Sequence, residues 1–238
     1  MAANISARAA GGVGGERHGP QAGAPGATGA PRATGAPRAR GTGSGASPRS
    51  RRERLLSAAA GLFAQRGYSS VTLADIGGAA GISGPGVYRH FASKEGLLGE
   101  LLVDVSERLL SSAEERVAAA AGPEAALVAL VDFHAGFAVD NPALITIQSR
   151  EMPALSAEDQ RRVRRLQSTY VELWAETVIR AGRFERHEEA IAAAHAIFGL
   201  LNSTPHSRRL AGDETRTLLR SLALAALLPA GPSARPGP

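Results

Sequence analysis

Apolar residues recur every three or four positions between residues 50 and 228, and no useful stretch alternates apolar with polar residues as a strand would. The chain is therefore predicted to be all-α. Glycine and proline breaks, together with Ser, Thr and Asp residues that suit helix N-caps, divide this region into nine helices. We predict them over about residues 51–67, 72–81, 83–91, 93–121, 123–141, 143–150, 156–182, 188–202 and 213–228.

Residues 71–98 contain two short predicted helices joined by a tight Gly-Ile-Ser turn. Thr72 and Asp75 form a capping-box-like start of the first, which Gly81 ends, and Ser83 is predicted to cap the second. This arrangement is typical of a helix-turn-helix, whose second helix enters the major groove of DNA while the first crosses the backbone. The apolar residues predicted to fill its core are Ile76, Ala80, Ile82, Val87 and Phe91.

The same segment resembles the DNA-binding domain of the TetR family of repressors, in which a Tyr, an aromatic residue or His, a Phe and a Lys recur with this spacing. The matching residues are Tyr88, His90, Phe91 and Lys94. The resemblance implies a homodimer that binds double-stranded DNA, with Phe91 in the core. It implies phosphate contacts from Thr72, Tyr88, His90 and Lys94. The full candidate DNA-binding set is Thr72, Ser83, Gly84, Tyr88, Arg89, His90 and Lys94.

Three features of this segment either differ from the family pattern or are unfavourable for helix stability. Gly77 and Gly78 are predicted to weaken the first short helix by about 1 kcal/mol each relative to alanine. Residues 84–86 read Gly-Pro-Gly, so sequence specificity is expected from Ser83, Arg89, backbone approach and DNA shape. Lys94 places a cation at the positive end of a helix and is expected to gain nothing there without DNA.

By the same resemblance, residues 49–96 form the DNA-binding domain and residues 97–228 a helical domain that binds a small molecule and dimerises. The last two helices have apolar faces that suit a four-helix interface, and ordinary intrachain core is the alternative. On the eighth helix these residues are Ile191, Ala194, Phe198 and Leu201. On the ninth they are Leu218, Leu222 and Ala225.

Candidate effector-binding residues are mostly apolar or aromatic, which favours a largely apolar ligand. They are Phe133, His134, Phe137, Ile145, Ile147, Tyr170 and Trp174. Core packing is the alternative for each of them. Four arginines between residues 161 and 165 form either a solvated helix face or a site for the phosphates of an acyl-coenzyme A.

Positive charge is concentrated towards the N-terminus. Residues 1–48 carry five arginines and one glutamate, and residues 49–96 carry seven basic and three acidic residues, whereas the remainder is net negative. Residues 1–48 are rich in Gly, Ala and Pro, so they are predicted to form a disordered arm, and residues 229–238 a disordered tail. The arm either lies along DNA phosphates or is a neutral low-complexity extension.

The sequence does not support an enzyme, a metal-binding or cofactor-binding protein, or a membrane protein. The chain has no cysteine, no HExxH motif, no phosphate-binding glycine loop and no nucleophile elbow, so an enzyme, a bound metal and a cofactor are not expected. No apolar run is long enough to span a membrane, and a cytoplasmic location is expected. The remaining alternatives are a protein that coats DNA without sequence specificity and an activator instead of a repressor.

Overall fold

The computed structural model describes residues 50–206 and 209–228. These residues contain nine α-helices and no strand, which confirms the all-α prediction for this part of the chain. The helices are α1 (Arg51–Arg66), α2 (Leu73–Ala80), α3 (Gly84–Tyr88), α4 (Lys94–Ala119), α5 (Pro123–Asp140), α6 (Pro142–Arg150), α7 (Ala157–Arg180), α8 (His187–Leu201) and α9 (Gly212–Leu227). The predicted arm and tail lie outside the described residues.

Side-chain caps fix several of the helix starts. The Ser50 hydroxyl accepts from the Glu53 amide at 3.2 Å while the Glu53 carboxylate accepts from the Ser50 amide, a complete capping box at α1. Thr72 and Asp75 form the predicted box at α2. Ser83 occupies the N-cap of α3 but makes no capping hydrogen bond, so that prediction is wrong. Pro85 explains part of this, because it lacks one of the amides that an N-cap side chain uses.

The turn between α2 and α3 depends on two glycines. Gly81 has φ 66°, and the amides of Gly81 and Ile82 donate to the carbonyls of Gly78 and Gly77, which is the Schellman pattern. A Cβ on Gly77 would lie 2.7 Å from Val87 Cγ2 and 2.9 Å from the Ile82 carbonyl oxygen. Gly77 is therefore a close-packing position between α2 and α3. At Gly77 these contacts oppose the gain in helix stability expected from alanine, whereas Gly78 faces open space and the predicted cost of its glycine stays a prediction.

One apolar core runs through the described helices. Helix α4 packs along α7 and α5, α7 packs on α8, and α5 packs on α9. Helix α1 packs on α2, α6 and α4, so the helix-turn-helix is joined to the rest of the core. Among the described residues, no single helix is long and apolar enough to cross a membrane; α5 and α6 reach that length only as a pair bent by 87°.

Candidate nucleic-acid interface and effector cleft

The surface formed by α2, α3 and the turn after α3 separates apolar from polar side chains. Ile76, Val87 and Phe91 are buried as predicted, while Ala80 and Ile82 are partly buried. The predicted DNA-contacting residues on this surface are exposed, and Tyr88 exposes 64% of its area. They are Thr72, Ser83, Gly84, Tyr88, Arg89 and His90. Helix α3 ends at Tyr88, earlier than predicted, so Arg89 and His90 project from the following turn.

A basic groove lies beside α3. Its volume is about 490 Å³ and its walls carry the three arginines Arg51, Arg54 and Arg89 together with His90. Ser83 and Gly86 line the same groove. Arg51 and Arg54 come from the first turn of α1 and were not assigned to the site from sequence. The only sequence signal for them was the cluster of arginines at residues 49–54.

Lys94 is held by the turn between α1 and α2. Its Nζ donates to the Tyr68 carbonyl oxygen at 2.7 Å and lies 3.4 Å from that of Ser69, and the ammonium is 4.3 Å from the centroid of the Tyr68 ring. The hydrogen bond and the cation–π contact stabilise Lys94 at this position in the free protein. The expectation that Lys94 gains nothing without DNA is therefore wrong. A phosphate contact by Lys94 stays a prediction.

Glu151 ties the same turn to the end of α6. Its Oε1 accepts from the Tyr68 amide at 3.2 Å, and Glu151 directly follows the C-terminus of α6. The Tyr68 ring also packs on Phe63 of α1, with centroids 5.3 Å apart. The α1–α2 turn is thus held both by the start of α4 and by the end of α6. This contact joins the end of α6 to the turn that precedes the helix-turn-helix.

A half-open cleft of about 690 Å³ lies where α1 meets α4, α5 and α6. We call it the junction cleft. Phe133 and Phe137 line it, as do Leu56 of α1 and Leu101 and Val105 of α4. These apolar walls are what the sequence predicted for an effector site, although the contribution of α1 was not predicted. A ligand in the junction cleft would contact α1, which packs on α2 of the helix-turn-helix.

The other candidate effector residues lie elsewhere. His134, Tyr170 and Trp174 form a closed aromatic cluster with Phe198, in which the ring centroids of His134 and Phe198 are 5.0 Å apart. Ile145 and Ile147 are buried and are not among the residues that line the cleft. Phe137 connects the two regions, because its ring centroid lies 6.2 Å from that of His134. An effector role for these buried residues stays a prediction.

His134 is a neutral, hydrogen-bonded core histidine in this structure. Its Nδ1 lies 2.9 Å from the Tyr170 hydroxyl and its Nε2 lies 3.0 Å from Asn202 Oδ1. Burial lowers the pKa of His134 to about 4, against a smaller opposing effect of the Asn202 bond. Burial likewise raises the pKa of the Tyr170 hydroxyl. Both groups are thus uncharged at neutral pH.

The basic run on α7 does not face the junction cleft. Arg161, Arg162, Arg164 and Arg165 are all exposed, and none lines the cleft. Arg162 pairs with Glu107 of α4 at 2.6 Å, and Arg164 donates to Gln160. Within the described residues, this run is therefore a solvated face of α7.

Helices α8 and α9 expose only part of the faces predicted to dimerise. Leu218 and Leu222 each expose 47% of their area, and Ala225 is exposed on the same side of α9. On α8, by contrast, Ala194 and Leu201 are buried within the chain. The exposed side of α8 carries Ala192, His195, Ala196 and Gly199 instead. Ala194 and Leu201 are therefore intrachain core residues, which was the alternative for this face, whereas Ile191 and Phe198 are partly buried and their place in a dimer interface stays a prediction.

Two family sequence models match the chain. The model described as "Bacterial regulatory proteins, tetR family" matches residues 55–101, and "Tetracyclin repressor-like, C-terminal domain" matches residues 120–219. The first spans α2, α3 and most of α1. The second spans α5 to α8 and the first half of α9. Together they cover more than half of the chain.

Named relatives agree with these matches. The HTH-type transcriptional repressor KstR2 of Rhodococcus jostii (strain RHA1) is 35% identical over 125 residues, which are 52% of this chain and 61% of that protein. The chain thus matches about three fifths of that curated relative's length. The structure of PfmR, a TetR family transcriptional regulator from Thermus thermophilus, is 26% identical, with TM-score 0.64 over 76% of this chain and 98% of PfmR.

A third relative was solved with ligands. The structure of AibR in complex with isovaleryl coenzyme A and operator DNA is 20% identical, with TM-score 0.62 over 73% of this chain and 97% of AibR. At that identity the likeness concerns the fold alone. The first family model covers α2 and α3, which form the helix-turn-helix, and the second covers most of the helices that follow α4. The chain belongs to the TetR family of bacterial regulatory proteins.

Proposed function

We propose that this protein is a sequence-specific DNA-binding transcriptional regulator, and specifically a repressor that a small molecule releases from a palindromic operator. The observation that carries the proposal is the α2–α3 surface. Its polar side chains, Tyr88, Arg89 and His90 among them, are exposed while its apolar side chains close a small core. Such a separation of exposed polar from buried apolar side chains is expected of a short helix that enters the major groove.

Electrostatics supports DNA as the partner. The basic groove contains three arginines and a histidine beside α3, and this concentration of positive charge supports phosphate contacts next to the recognition helix. Thr72 caps α2 and is exposed, and a further phosphate at this helix terminus would compete with the Asp75 carboxylate, to which the Thr72 hydroxyl donates at 2.6 Å. We assign the direct contacts to base edges to Ser83 and Arg89, and we expect DNA shape to provide the remaining sequence specificity.

A homodimer is part of the proposal. A palindromic operator needs two recognition helices related by a two-fold axis. The exposed leucines of α9 and the exposed small residues of α8 form a surface that suits a second copy packed closely against it. A cytoplasmic location follows from this function and is part of the same proposal.

The effector is proposed to be a largely apolar small molecule. The junction cleft has the volume of a small-molecule site and apolar walls that include Phe133 and Phe137. AibR, which shares the fold, was solved with isovaleryl coenzyme A. In this chain the arginines of α7 do not line the cleft, so support for an acyl-coenzyme A comes from that relative and not from the geometry.

Selection of duplexes from a random DNA library tests the function. We expect the protein to enrich a two-fold symmetric sequence, and Arg89→Ala to weaken binding to it by about 1–3 kcal/mol. Arg161→Ala is the matched control, because it removes one exposed arginine from α7 and lowers the net charge equally. Equal losses for both variants, or no enrichment, would refute the proposed interface.

A further inference from the structure

The α4 face that lines the junction cleft leads to Arg116. The α4 residues in the lining follow the spacing of one helical face. They are Leu101, Asp104, Val105, Arg108, Leu109 and Ser112. Arg116 is the next residue on that face and contacts two lining residues. Its Nη1 donates to the Ser112 carbonyl oxygen at 2.7 Å, and its Cζ lies 4.1 Å from the centroid of the Phe133 ring. Arg116 therefore lies at one end of the cleft.

Arg116 is a partly buried cation with no carboxylate partner among the described residues. Arg216 is the only other described arginine that is partly buried, and it pairs with Asp140 at 2.8 Å. The described partners of Arg116 are a carbonyl oxygen and an aromatic face, neither of which carries a net charge. Because a guanidinium has five N–H donors and the Ser112 bond uses one, donors for an anion remain on Arg116.

The carboxylates that line the cleft have partners of their own. Asp104 Oδ2 lies 2.9 Å from Arg108 Nη2, and Asp140 has the arginine partner named above. The Glu53 carboxylate completes the capping box at the start of α1. Arg108 is the only basic residue among the described residues of the lining. Within this part of the structure, Arg116 is thus the cation at the cleft that no carboxylate neutralises.

An apolar surface extends from Arg116 along the cleft. Leu101, Val105 and Leu109 of α4 are buried there, and Leu56 of α1 is a buried residue of the same lining. Leu101 and Arg116 are about 22 Å apart along the helix axis, at a rise of about 1.5 Å per residue. The cleft thus combines a cationic end with an apolar length that suits the body of an amphiphile.

We propose that Arg116 binds the small anionic head of an amphiphile, a carboxylate, whose apolar body fills the junction cleft. This deepens the proposed function, on which it rests, by assigning the chemical class of the effector and the residue that recognises it. A carboxylate matches the planar donor pattern of a guanidinium, and partial burial strengthens such a pair relative to one in water. The several phosphates of a coenzyme A would need further cations, and the described lining holds only Arg108, which is paired.

Four probes that share a ten-carbon chain test the assignment. They are decanoate, decan-1-ol, decyltrimethylammonium and decanoyl-coenzyme A, each titrated below its micelle concentration into the full-length protein by calorimetry at neutral pH and one salt concentration. We expect decanoate to bind at least about tenfold more tightly than the alcohol and the cation, a difference of about 1.4 kcal/mol. Decanoyl-coenzyme A keeps the chain but has no free carboxylate, so it should bind more weakly than decanoate.

Substitutions of Arg116 test the head group. Arg116→Gln should weaken decanoate about tenfold and leave decan-1-ol unchanged, and unchanged binding of the alcohol also shows that the variant is folded. Arg116→Lys keeps the charge and should retain part of the preference for decanoate over decan-1-ol. Arg162→Gln is the matched control, because Arg162 is an exposed arginine that pairs with Glu107 and does not line the cleft. It should bind decanoate as the wild type does.

A second pair of variants locates the apolar body. Gly61→Leu should abolish binding of decanoate and decan-1-ol alike, because Gly61 lines the cleft and a Cβ there meets no atom within 4 Å. Gly78→Leu is its control. Gly78 is also a helical glycine with open space around its Cβ position, but it lies on α2 and does not line the cleft. It should leave the binding of both probes unchanged.

The outcomes separate this proposal from the proposed function. Decanoate that binds no more tightly than decan-1-ol, equal effects of Arg116→Gln and Arg162→Gln, or unchanged binding to Gly61→Leu would each overturn the assignment. Tighter binding of decanoyl-coenzyme A than of decanoate would overturn the carboxylate head. DNA binding is measured separately on the duplex selected from the random library. A protein that binds that duplex but not decanoate refutes the Arg116 site alone, and one that binds decanoate but no DNA refutes the proposed function alone.

Discussion

At the scale of single residues, Lys94 makes two contacts that stabilise the free protein. Its ammonium donates to the Tyr68 carbonyl oxygen and lies over the Tyr68 ring. We expect Lys94→Gln to lower the free energy of unfolding by about 1 kcal/mol, because the glutamine amide loses both the charge and the cation–π contact. Urea unfolding at pH 7 measures the difference.

Lys94→Arg is the control, since it keeps the charge and can still stack on Tyr68. Equal stability of wild type and Lys94→Gln would contradict the structural role. The predicted phosphate contact is tested on the same variant through the salt dependence of DNA binding. A dimer that loses two phosphate contacts should show a slope of log K against log salt that is shallower by about 1.8.

His134 should make stability depend on pH. Its pKa is about 4 in the fold and near 6.5 when unfolded, so the unfolded chain binds the extra proton first as pH falls. The free energy of unfolding should therefore fall by about 2 kcal/mol between pH 7.5 and pH 5 from this residue alone, and level off below pH 4. Urea unfolding across this range measures it.

The comparison variants for this pH dependence are His134→Gln and His206→Gln. The first removes the buried titrating group and should flatten the profile, although the variant is less stable overall. The second removes an exposed histidine and should leave the profile as in wild type. A profile equally steep in His134→Gln would show that other groups cause the pH dependence.

At the scale of elements, the two adjacent glycines of α2 should respond in opposite directions to the same change. Gly77→Ala forces a Cβ against Val87 and the Ile82 carbonyl, so it should lower the free energy of unfolding by about 1–3 kcal/mol. Gly78→Ala meets open space and should raise it by about 0.5–1 kcal/mol. Thermal unfolding compares them. Stabilisation by both substitutions would contradict the close packing of α2 on α3.

The helices and their starts were predictable because the signals are local. A capping box such as Thr72 with Asp75 lies within four residues, and a glycine such as Gly81 ends a helix through its own φ. The end of α3 was predicted less well. Apolar periodicity extends to Phe91, but the backbone leaves the helix after Tyr88, and Phe91 reaches the core from a turn.

The candidate sites were predictable only where neighbours in sequence are also neighbours in space. The exposed residues around α3 fit this condition. Lys94 fails this condition, because its partner Tyr68 is 26 residues away in the sequence. The junction cleft fails it as well, because its α1 wall is far from α5 in the sequence. Helical periodicity predicts that Phe137 and Trp174 lie on apolar faces of their helices. It does not predict that Phe137 lines a cleft whereas Trp174 is fully buried in the core.

At the scale of the whole molecule, the exposed leucines of α9 should determine the oligomeric state. We expect the wild-type protein to sediment at twice its chain mass of 24.5 kDa, and the double variant Leu218→Glu/Leu222→Glu to sediment as a monomer. Each glutamate would bring an unpaired charge into the apolar contact between the two copies. Analytical ultracentrifugation measures the masses.

Leu210→Glu is the matched control, because Leu210 exposes 46% of its area, nearly as much as the α9 leucines, but precedes that helix. It should remain a dimer. A double α9 variant that still sediments as a dimer, or a control that dissociates equally, would place the interface elsewhere. The monomeric variant should also bind the selected duplex much more weakly, since it presents one recognition helix at a time.

The proposed function depends on sequence-specific DNA binding by the α2–α3 surface. Its most direct test is the ratio of affinities of the wild-type protein for the selected two-fold symmetric duplex and for a scrambled duplex of equal length, at one fixed salt concentration. We expect a ratio of about 10³ or more. A ratio near one would contradict it, and would identify the protein as one that binds DNA without regard to sequence.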